Sequence, residues 1–319
     1  MTRAIPKLCI VLPCYNEEEV LPSTIERLRE KLQQLIADGL VTAQSRVLFV
    51  DDGSKDATWR IISTLAHEDE LFEGVKLAHN RGHQNALLAG LDAARSSFDA
   101  VVSMDADLQD DPNVIDEMVE HYCNGANIVL GVRDDRSTDT AFKRGTAGLF
   151  YKFMRAMGAD TVDNHADFRL MDTQALDALF EYAETNLFLR GVIVDIGLNV
   201  QKVFYKRGER QAGESKYPLH KMIAFATNGI TSFSIRPLRM IGVVGAIAIL
   251  VSIVAIVYSL IQTGLGNVVS GWPTLICSIW FIGGVQLLCL SVLGEYIGKI
   301  YQETKARPRY LIQENTLKR

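Results

Sequence analysis

Two long segments without a formal charge constrain the fold of this 319-residue chain more than any other feature. Residues 241–261 and 275–293 contain only apolar and uncharged polar side chains. Because a helix rises about 1.5 Å per residue, about 20 residues cross the roughly 30 Å hydrocarbon core of a bilayer. Buried helices of soluble proteins are seldom so uniformly apolar. The sequence therefore predicts two transmembrane helices near the C-terminus.

Basic residues lie on the outer sides of both predicted spans. Arg236 and Arg239 precede the first span. The second span is followed by Lys299, Lys305, Arg307 and Arg309. Residues 264–273, which connect the spans, carry no charge. By the positive-inside rule both flanks lie in the cytoplasm. We expect a multi-pass protein of the cell (inner or plasma) membrane whose globular part and both termini are cytoplasmic.

The remaining composition excludes several classes of protein. The net charge is −5, so no global basic field points to a nucleic-acid partner. The five cysteines are odd in number and form no CxxC pair, which argues against a disulfide framework or a zinc site. Whether the chain forms a homo-oligomer stays open at this point.

The composition divides the chain into four expected parts. These are a globular domain over residues 1–213, an amphipathic interfacial segment over 214–237, a membrane region over 238–298 and a cytoplasmic tail over 299–319. The interfacial segment carries an apolar stripe of Leu219, Met222, Ile223, Ala226 and Ile230. This pattern favours a helix in the membrane interface, in contact with membrane lipids. A helix packed on the surface of the globular domain is the alternative.

Residues 1–110 alternate between strand and helix patterns. The predicted strands are 8–13, 46–50, 75–77 and 100–104, and the predicted helices are 17–35, 57–67 and 85–95. A helix over 111–123, a strand over 128–132 and a helix over 143–157 follow. Continuous apolar strands separated by helices predict a parallel sheet covered on both faces. In such sheets ligands bind beyond the carboxyl ends of the strands.

The strongest local motif follows the fourth predicted strand. Asp105 and Asp107 flank Ala106, and Gln109 offers a further oxygen. Hard cations such as Mg²⁺ bind through one or two carboxylates together with phosphate oxygens. A lone Asp-x-Asp is frequent in loops, but its position after a β-α-β-α pattern makes it informative. The motif predicts a Mg²⁺ or Mn²⁺ site beside a diphosphate.

Two earlier strand ends carry further polar groups. Asp51 and Asp52 follow the second strand, where one of them accepts hydrogen bonds from a base or ribose, or caps a helix. Tyr15 and Glu17 follow the first strand. Tyr15 is placed to stack on a base, and the alternative is a plain turn before an acidic first helical turn.

Several segments together resemble a known enzyme family. Residues 13–18, 50–56, 80–94 and 105–107 stand in the order and spacing of an inverting family 2 glycosyltransferase. Residues 167–170 and 210–217, with the two C-terminal spans, are similar to polyprenyl-phosphate glycosyltransferases, which include bactoprenol glucosyltransferases and dolichyl-phosphate mannose synthases. The resemblance implies an α/β GT-A fold, which is Rossmann-like with a mostly parallel sheet.

The resemblance also implies roles for individual residues. The nucleotide-sugar contacts are Pro13, Tyr15, Glu17, Val50, Asp52, Asp105, Ala106 and Arg133. The metal ligands are Asp105, Asp107 and Gln109. The acceptor-phosphate contacts are Lys143, Arg144 and Arg210. The catalytic group is Asp167, Arg210 and Lys216. Asp167 is the candidate base, but a polyprenyl phosphate is itself an ionised nucleophile, so Asp167 could instead orient the acceptor or a basic side chain.

The resemblance implies inverting transfer of a sugar from a nucleotide sugar to a polyprenyl (undecaprenyl) phosphate. UDP-glucose and UDP-N-acetylglucosamine are the favoured donors, and a mannose synthase that uses GDP-mannose is the alternative. A processive polysaccharide synthase is disfavoured because the sequence has no QxxRW motif and only two predicted spans. A membrane-tethered sugar-nucleotide sensor is disfavoured because Asp107, Arg210 and Lys216 are all present.

Overall fold

The structure is a computed structural model. It describes residues 3–107, 109–133, 165–185, 187, 189–206, 234–265 and 271–317. The chain divides into two units. The first comprises residues 1–151, 160–217 and 308–319, and the second comprises residues 152–159 and 218–307. The predicted helix over 143–157 and nearly all of the predicted interfacial segment lie outside the described residues.

The first unit is built on an eight-stranded mixed sheet. Its strands are β1 (Leu8–Cys14), β2 (Arg46–Asp51), β3 (Phe72–Leu77), β4 (Ala100–Ser103), β5 (Ile128–Arg133), β6 (His165–Asp172), β7 (Val200–Tyr205) and β8 (Ile312–Asn315). Their order across the sheet is β7-β5-β6-β4-β1-β2-β3-β8. The first four strands are parallel, and so are β5 and β7, whereas β6 and β8 run antiparallel to their neighbours. The expected α/β architecture with a mostly parallel sheet is confirmed.

Helices of the first unit cover the sheet. They are α1 (Leu21–Ala37), α2 (Thr58–Glu68), α3 (His83–Arg95), α4 (Ile115–Cys123), α5 (Thr173–Glu181) and α6 (Leu189–Asp195). The apolar stripe of α1 joins alternate residues of β1, such as Ile10 and Leu12, in one buried cluster. On the other face α3 approaches so closely that a Cβ at Gly90 would lie 2.4 Å from Val11 Cγ1. The continuous apolar strands are therefore buried on both faces.

Several element boundaries differ from the sequence prediction, since β3 begins at Phe72 rather than residue 75 and α3 begins at His83 rather than residue 85. Helix α1 begins at Leu21 rather than residue 17, because the preceding residues form turns that bond to the loop after β2. The predicted helix over 111–123 is a 3₁₀ turn, Pro112–Val114, followed by α4. The Asp111 side chain caps that turn by accepting from the Asn113 N–H at 3.0 Å.

The C-terminal residues differ most from expectation. The sequence predicted a tail over 299–319, but Ile312–Asn315 forms β8, which pairs antiparallel with β3 at one edge of the sheet. The Tyr310 hydroxyl donates to Asp92 on α3 at 3.0 Å. Arg309 Nε donates to the Glu184 carbonyl at 2.9 Å. The last described residues are thus part of the first unit.

The second unit contains the two long apolar helices, α7 (Arg236–Gly264) and α8 (Trp272–Thr304). Within them Arg236–Ala255 and Phe281–Thr304 are long and apolar enough to cross a membrane. Large apolar side chains such as Leu250, Phe281 and Leu288 are exposed along both helices. In water such surface would be unfavourable, so these helices favour a membrane association. Helix α8 continues eleven residues beyond the predicted end of the second span at 293.

Candidate active site

At one edge of the sheet the parallel strands end and the antiparallel strands begin. The parallel strands β1, β2 and β4 end there, and the antiparallel strand β6 begins there, since Ser103 of β4 pairs with Arg169 of β6. Strands β5 and β7 end at the same edge, where Arg133 pairs with Tyr205. This register places Asp167, the third residue of β6, beside the acidic loop that follows β4. The candidate site therefore forms where open α/β sheets bind ligands.

The loops after β1 and β2 are fixed to each other by reciprocal hydrogen bonds. The Asn16 N–H donates to Ser54 Oγ at 2.9 Å, and the Lys55 N–H donates to Asn16 Oδ1 at 2.9 Å. The Glu17 N–H donates to Thr58 Oγ1 at 2.9 Å. Between these bonds Tyr15 is 40% exposed. Its ring is accessible, and stacking on a base stays a prediction from the sequence.

Two predicted nucleotide contacts are packing residues in the structure. Pro13 and Val50 pair in register on β1 and β2 and are buried. The Val50 side chain packs against α3, since a Cβ at Gly90 would lie 2.6 Å from Val50 Cγ2. Their side chains are therefore not exposed to a ligand.

Asp52 holds the loop that leads into α3. Its carboxylate accepts from the Arg81 N–H at 2.6 Å and the Gly82 N–H at 2.8 Å. Burial raises the pKa of Asp52, although these two hydrogen bonds act in the opposite direction. Gly53 has φ +68°, and a Cβ there would lie 2.7 Å from the Asn80 nitrogen. The loops after β2 and β3 thus meet backbone to backbone.

The acidic loop after β4 is hydrogen-bonded to helix α1. Thr24 on α1 donates its hydroxyl proton to the Ala106 carbonyl at 2.8 Å, and both residues are buried. Asp107 Oδ1 accepts from the Gln109 N–H at 3.2 Å. The sequence predicted Ala106 as a contact of the nucleotide sugar. In the structure its carbonyl also fixes the turn that carries Asp105 and Asp107.

His83, the first residue of α3, lies between two predicted site residues. Its Nε2 is 3.5 Å from Asp105 Oδ1 and 3.7 Å from Asp167 Oδ2. Asp167 also forms an ion pair with Arg169, which is almost fully buried. Burial raises the pKa of Asp105, His83 opposes this, and the carboxylates of Asp110, Asp167 and Asp107 add to it. Negative charge is therefore concentrated around Asp105.

Arg133 is held by two residues that the sequence analysis missed. Its Nη2 is 3.4 Å from Asp110 Oδ1, and its Nε donates to the Tyr205 hydroxyl at 3.3 Å. The Tyr205 hydroxyl in turn donates to Asp110. Asp110 continues the acidic run after β4, but nothing in the sequence links it to Tyr205. Arg169 and His83 were likewise not chosen as site residues.

Four predicted site residues lie outside the described part of the chain. They are Lys143, Arg144, Arg210 and Lys216. The contacts proposed for them toward the acceptor and the diphosphate therefore stay predictions from the sequence.

The acidic loop fits a divalent cation that is coordinated by protein carboxylates and by diphosphate oxygens together. Among the described residues no group of three or more His, Cys, Asp or Glu side chains is arranged to hold a metal. A Mg²⁺-type ion does not need such a cage, because it binds through one or two carboxylates plus substrate phosphates. Gln109 Oε1 and Asp110 Oδ2 are buried without a hydrogen-bond partner among the described residues. Such oxygens suit a cation or an ordered water.

Comparisons with known proteins identify the family. Residues 9–180 match the family described as Glycosyl transferase family 2, and residues 236–300 match the GtrB C-terminal hairpin. The uncharacterized glycosyltransferase YkoT of Bacillus subtilis (strain 168) is 49% identical over 98% of this chain and 93% of its own. The bactoprenol glucosyl transferase of Shigella phage SfX is 41% identical over 96% of this chain and 99% of its own.

A solved structure is similar at lower identity. The mannosyltransferase PcManGT from Pyrobaculum calidifontis, in complex with GDP-Man and Mn²⁺, is 16% identical with a TM-score of 0.45. That alignment covers 92% of this chain and 87% of the other. The family and enzyme class that the sequence motifs predicted are confirmed by the family matches and the closely related sequences. The chain belongs to glycosyl transferase family 2 and is a glycosyltransferase with a GT-A catalytic domain.

Proposed function

We propose that the protein transfers glucose from UDP-glucose to a polyprenyl phosphate, such as undecaprenyl phosphate, with inversion at the anomeric carbon. One observation carries the proposal. A family 2 catalytic domain and a GtrB hairpin occur in one chain, and bactoprenol glucosyl transferases match this chain over nearly its whole length. The product would be a lipid-linked sugar for modification of cell-envelope glycans.

The acidic loop is proposed to bind the donor diphosphate. Asp105, Asp107 and Gln109 would hold Mg²⁺ or Mn²⁺, which offsets the charge that develops on the departing nucleoside diphosphate. The crowded carboxylates around Asp105 repel one another, so a cation binds there favourably. Tyr15, Glu17 and Asp52 lie on the neighbouring loops, where the nucleoside would bind. Arg133 lies at the same edge and would contact the diphosphate.

Asp167 is proposed to orient basic side chains rather than to remove a proton. A polyprenyl phosphate is already ionised near neutral pH and can attack the sugar carbon directly. The Asp167 carboxylate pairs with Arg169 and approaches His83 Nε2 at 3.7 Å. These contacts support the second of the two roles that the sequence left open.

The acceptor is proposed to reach the site from the membrane. The two apolar helices support a membrane anchor, and the charge asymmetry around them favours cytoplasmic flanks. The chain leaves the first unit before these helices and returns to it at Pro308. Lys143, Arg144, Arg210 and Lys216 are proposed to bind the acceptor phosphate and to close over the donor. Two phosphate groups repel each other in a partly desolvated cleft, which explains why several cations are needed.

The test uses the purified full-length protein in detergent with undecaprenyl phosphate and Mg²⁺. UDP-glucose, UDP-N-acetylglucosamine and GDP-mannose are supplied in parallel, and products are identified by mass spectrometry and NMR. We expect one hexose on the lipid phosphate, from UDP-glucose, in the β configuration. Transfer of several sugars to a growing glycan, or a retained α configuration, would contradict the proposal. A preference for GDP-mannose would contradict the proposed donor and leave the proposed lipid-phosphate acceptor unchanged.

A further inference from the structure

A buried aspartate lies at the edge of the candidate site without a role in the proposed chemistry. Asp110 is 1% exposed and follows the acidic loop on the side of β5 and β7. Burying a carboxylate is unfavourable unless a cation and hydrogen bonds compensate for the lost hydration. Among the described residues Arg133 is the cation within salt-bridge distance of Asp110. The compensation thus depends on one arginine that lies partly at the surface.

Tyr205 completes a three-membered network with these two residues. Its hydroxyl donates to Asp110 Oδ1 and accepts from Arg133 Nε at 3.3 Å. The ring is held independently, because it packs edge-on against Phe168 with centroids 5.4 Å apart. A Cβ at Gly131 would lie 3.1 Å from Tyr205 Cε1 and 2.9 Å from Phe168 Cδ1, so no side chain separates these rings from β5. The position of the hydroxyl is therefore set by packing.

The network leaves part of the guanidinium available. Arg133 is 29% exposed, and its contacts with described residues use Nε and Nη2. The third nitrogen, Nη1, can join Nη2 in a two-point contact with phosphate oxygens. An arginine on a surface loop would lose side-chain entropy when it bound such a ligand. Arg133 has already lost much of that freedom, which lowers the cost of binding.

We propose that Asp110 and Tyr205 are positioning residues that fix the Arg133 guanidinium for contact with the donor diphosphate. The inference rests on the proposed function for the identity of the donor. Asp110 supplies the charge that keeps the guanidinium at this edge, and Tyr205 sets its rotation. Neither residue touches the substrate, and Arg133 transmits the effect of both. Residues that support a ligand-binding group in this way commonly alter affinity when they are replaced.

The test compares donor affinity in Tyr205→Phe with that in Tyr310→Phe, using the purified full-length protein. Both substitutions remove a hydroxyl that donates to an aspartate, and Tyr310 bonds to Asp92 away from the acidic loop. Affinity for UDP and UDP-glucose in Mg²⁺ is measured by calorimetry, and the KM for each substrate is measured separately. We expect about a two- to tenfold weaker donor affinity in Tyr205→Phe, which corresponds to one lost hydrogen bond. Tyr310→Phe should retain wild-type affinity.

A second background separates positioning from general destabilisation. In Arg133→Lys no guanidinium remains to be oriented, so adding Tyr205→Phe should weaken donor affinity no further. Asp110→Asn should resemble Tyr205→Phe if it folds, and Tyr205→Phe alone decides the matter if it does not. The KM for undecaprenyl phosphate should stay unchanged in Tyr205→Phe.

Three results would overturn the inference. They are unchanged donor affinity in Tyr205→Phe, an equal loss in Tyr310→Phe, and a full additional loss on the Arg133→Lys background. Failure of the proposed function gives a different result, because the wild-type protein would then form no glucosyl lipid whatever the variants do. UDP binding reports on the diphosphate contact without any acceptor. If the wild-type protein bound neither UDP nor UDP-glucose, both proposals would be wrong.

Discussion

Two acidic loops lie at the same edge of the sheet, one after β2 and one after β4, and the hydrogen bonds of their aspartates differ. In the loop after β2, Asp52 accepts from the N–H groups of Arg81 and Gly82, so its carboxylate stabilises the backbone. In the loop after β4, Asp105 lies among other carboxylates that raise its pKa further than burial alone. Both loops follow buried parallel strands and carry a pair of aspartates. In the second loop the carboxylates of Asp107, Asp110 and Asp167 all act on Asp105, whose side chain is partly exposed.

The comparison separates residues that build the site from residues that act on a ligand. A carboxylate that already accepts backbone hydrogen bonds contributes mainly to the shape of the loop. A carboxylate crowded by others is unfavourable until a cation arrives, which suggests a functional reason for its presence. We therefore expect substitutions in the loop after β2 to change stability first and substitutions in the loop after β4 to change activity first.

The largest expected effect concerns the loop after β4. Asp107→Ala should lower transfer by about 100-fold or more, the order seen when one preorganised charge-stabilising group is lost from an active site. The thermal unfolding midpoint should change little, because Asp107 is partly exposed. Activity is measured with Mg²⁺ and with Mn²⁺ after chelator treatment. Near-normal turnover of the chelator-treated Asp107→Ala variant would contradict the functional role assigned to the loop after β4.

The sequence predicted the first half of the sheet well because β1, β2 and β4 are continuous apolar runs between helices. It did not predict β8, since Ile312–Asn315 is short, largely polar and exposed, and only its backbone pairing reveals it. The acidic loop was recognised because its residues are adjacent in sequence. The pairing of Asp110 with Tyr205 was missed because 95 residues separate them and only the fold joins them. The role of Asp52 required the hydrogen bonds, because the residue type fits a ligand contact and a structural contact equally.

The second effect concerns the backbone approach in the loop after β2. Gly39 and Gly53 have nearly the same positive φ, 69° and 68°. A Cβ at Gly39 meets nothing within 4 Å, whereas one at Gly53 would lie 2.7 Å from backbone atoms of His79 and Asn80. Gly39→Ala should cost about 1–2 kcal/mol from conformation alone, and Gly53→Ala about 1–3 kcal/mol more from the clash.

The measurement is chemical or thermal unfolding of the two glycine variants beside the wild-type protein. Gly39→Ala serves as the matched control, because it carries the conformational cost without the contact. Equal losses in the two variants would show that the close approach of the loops after β2 and β3 does not contribute to stability.

The third effect tests whether Asp52 is structural. Asp52→Asn keeps one oxygen but presents an amide to a backbone N–H, so at least one of the Arg81 and Gly82 N–H groups loses its carboxylate partner. The free energy of unfolding should fall by about 1–3 kcal/mol. The divalent-cation concentration for half-maximal activity should stay unchanged, in contrast to a conservative Asp105→Asn substitution. A large change in cation dependence with intact stability would place Asp52 with the functional carboxylates instead.

The smallest effect is a pH dependence within the loop after β2. Asp51 is fully buried, and one of its oxygens has no hydrogen-bond partner among the described residues. Burial raises the pKa of Asp51, with smaller opposing effects from hydrogen bonds of Ser54. Asp56 differs, because hydrogen bonds from Thr58 and Glu18 lower its pKa although burial opposes them.

These two shifts predict opposite changes with pH. When the folded pKa is raised, the native state holds its proton longer than the unfolded state, so stability falls as pH rises from the ordinary aspartate pKa through the raised one. Asp51→Asn removes this loss and should gain stability relative to wild type between about pH 4 and about pH 7. Asp56→Asn removes a favourable contribution that is present above the ordinary pKa and should lose stability relative to wild type at neutral pH. Thermal unfolding midpoints of both variants and the wild-type protein at the two pH values measure the difference. If the unfolding midpoints of both variants changed in the same direction relative to wild type, the opposite pKa shifts of Asp51 and Asp56 would not explain the pH dependence of stability.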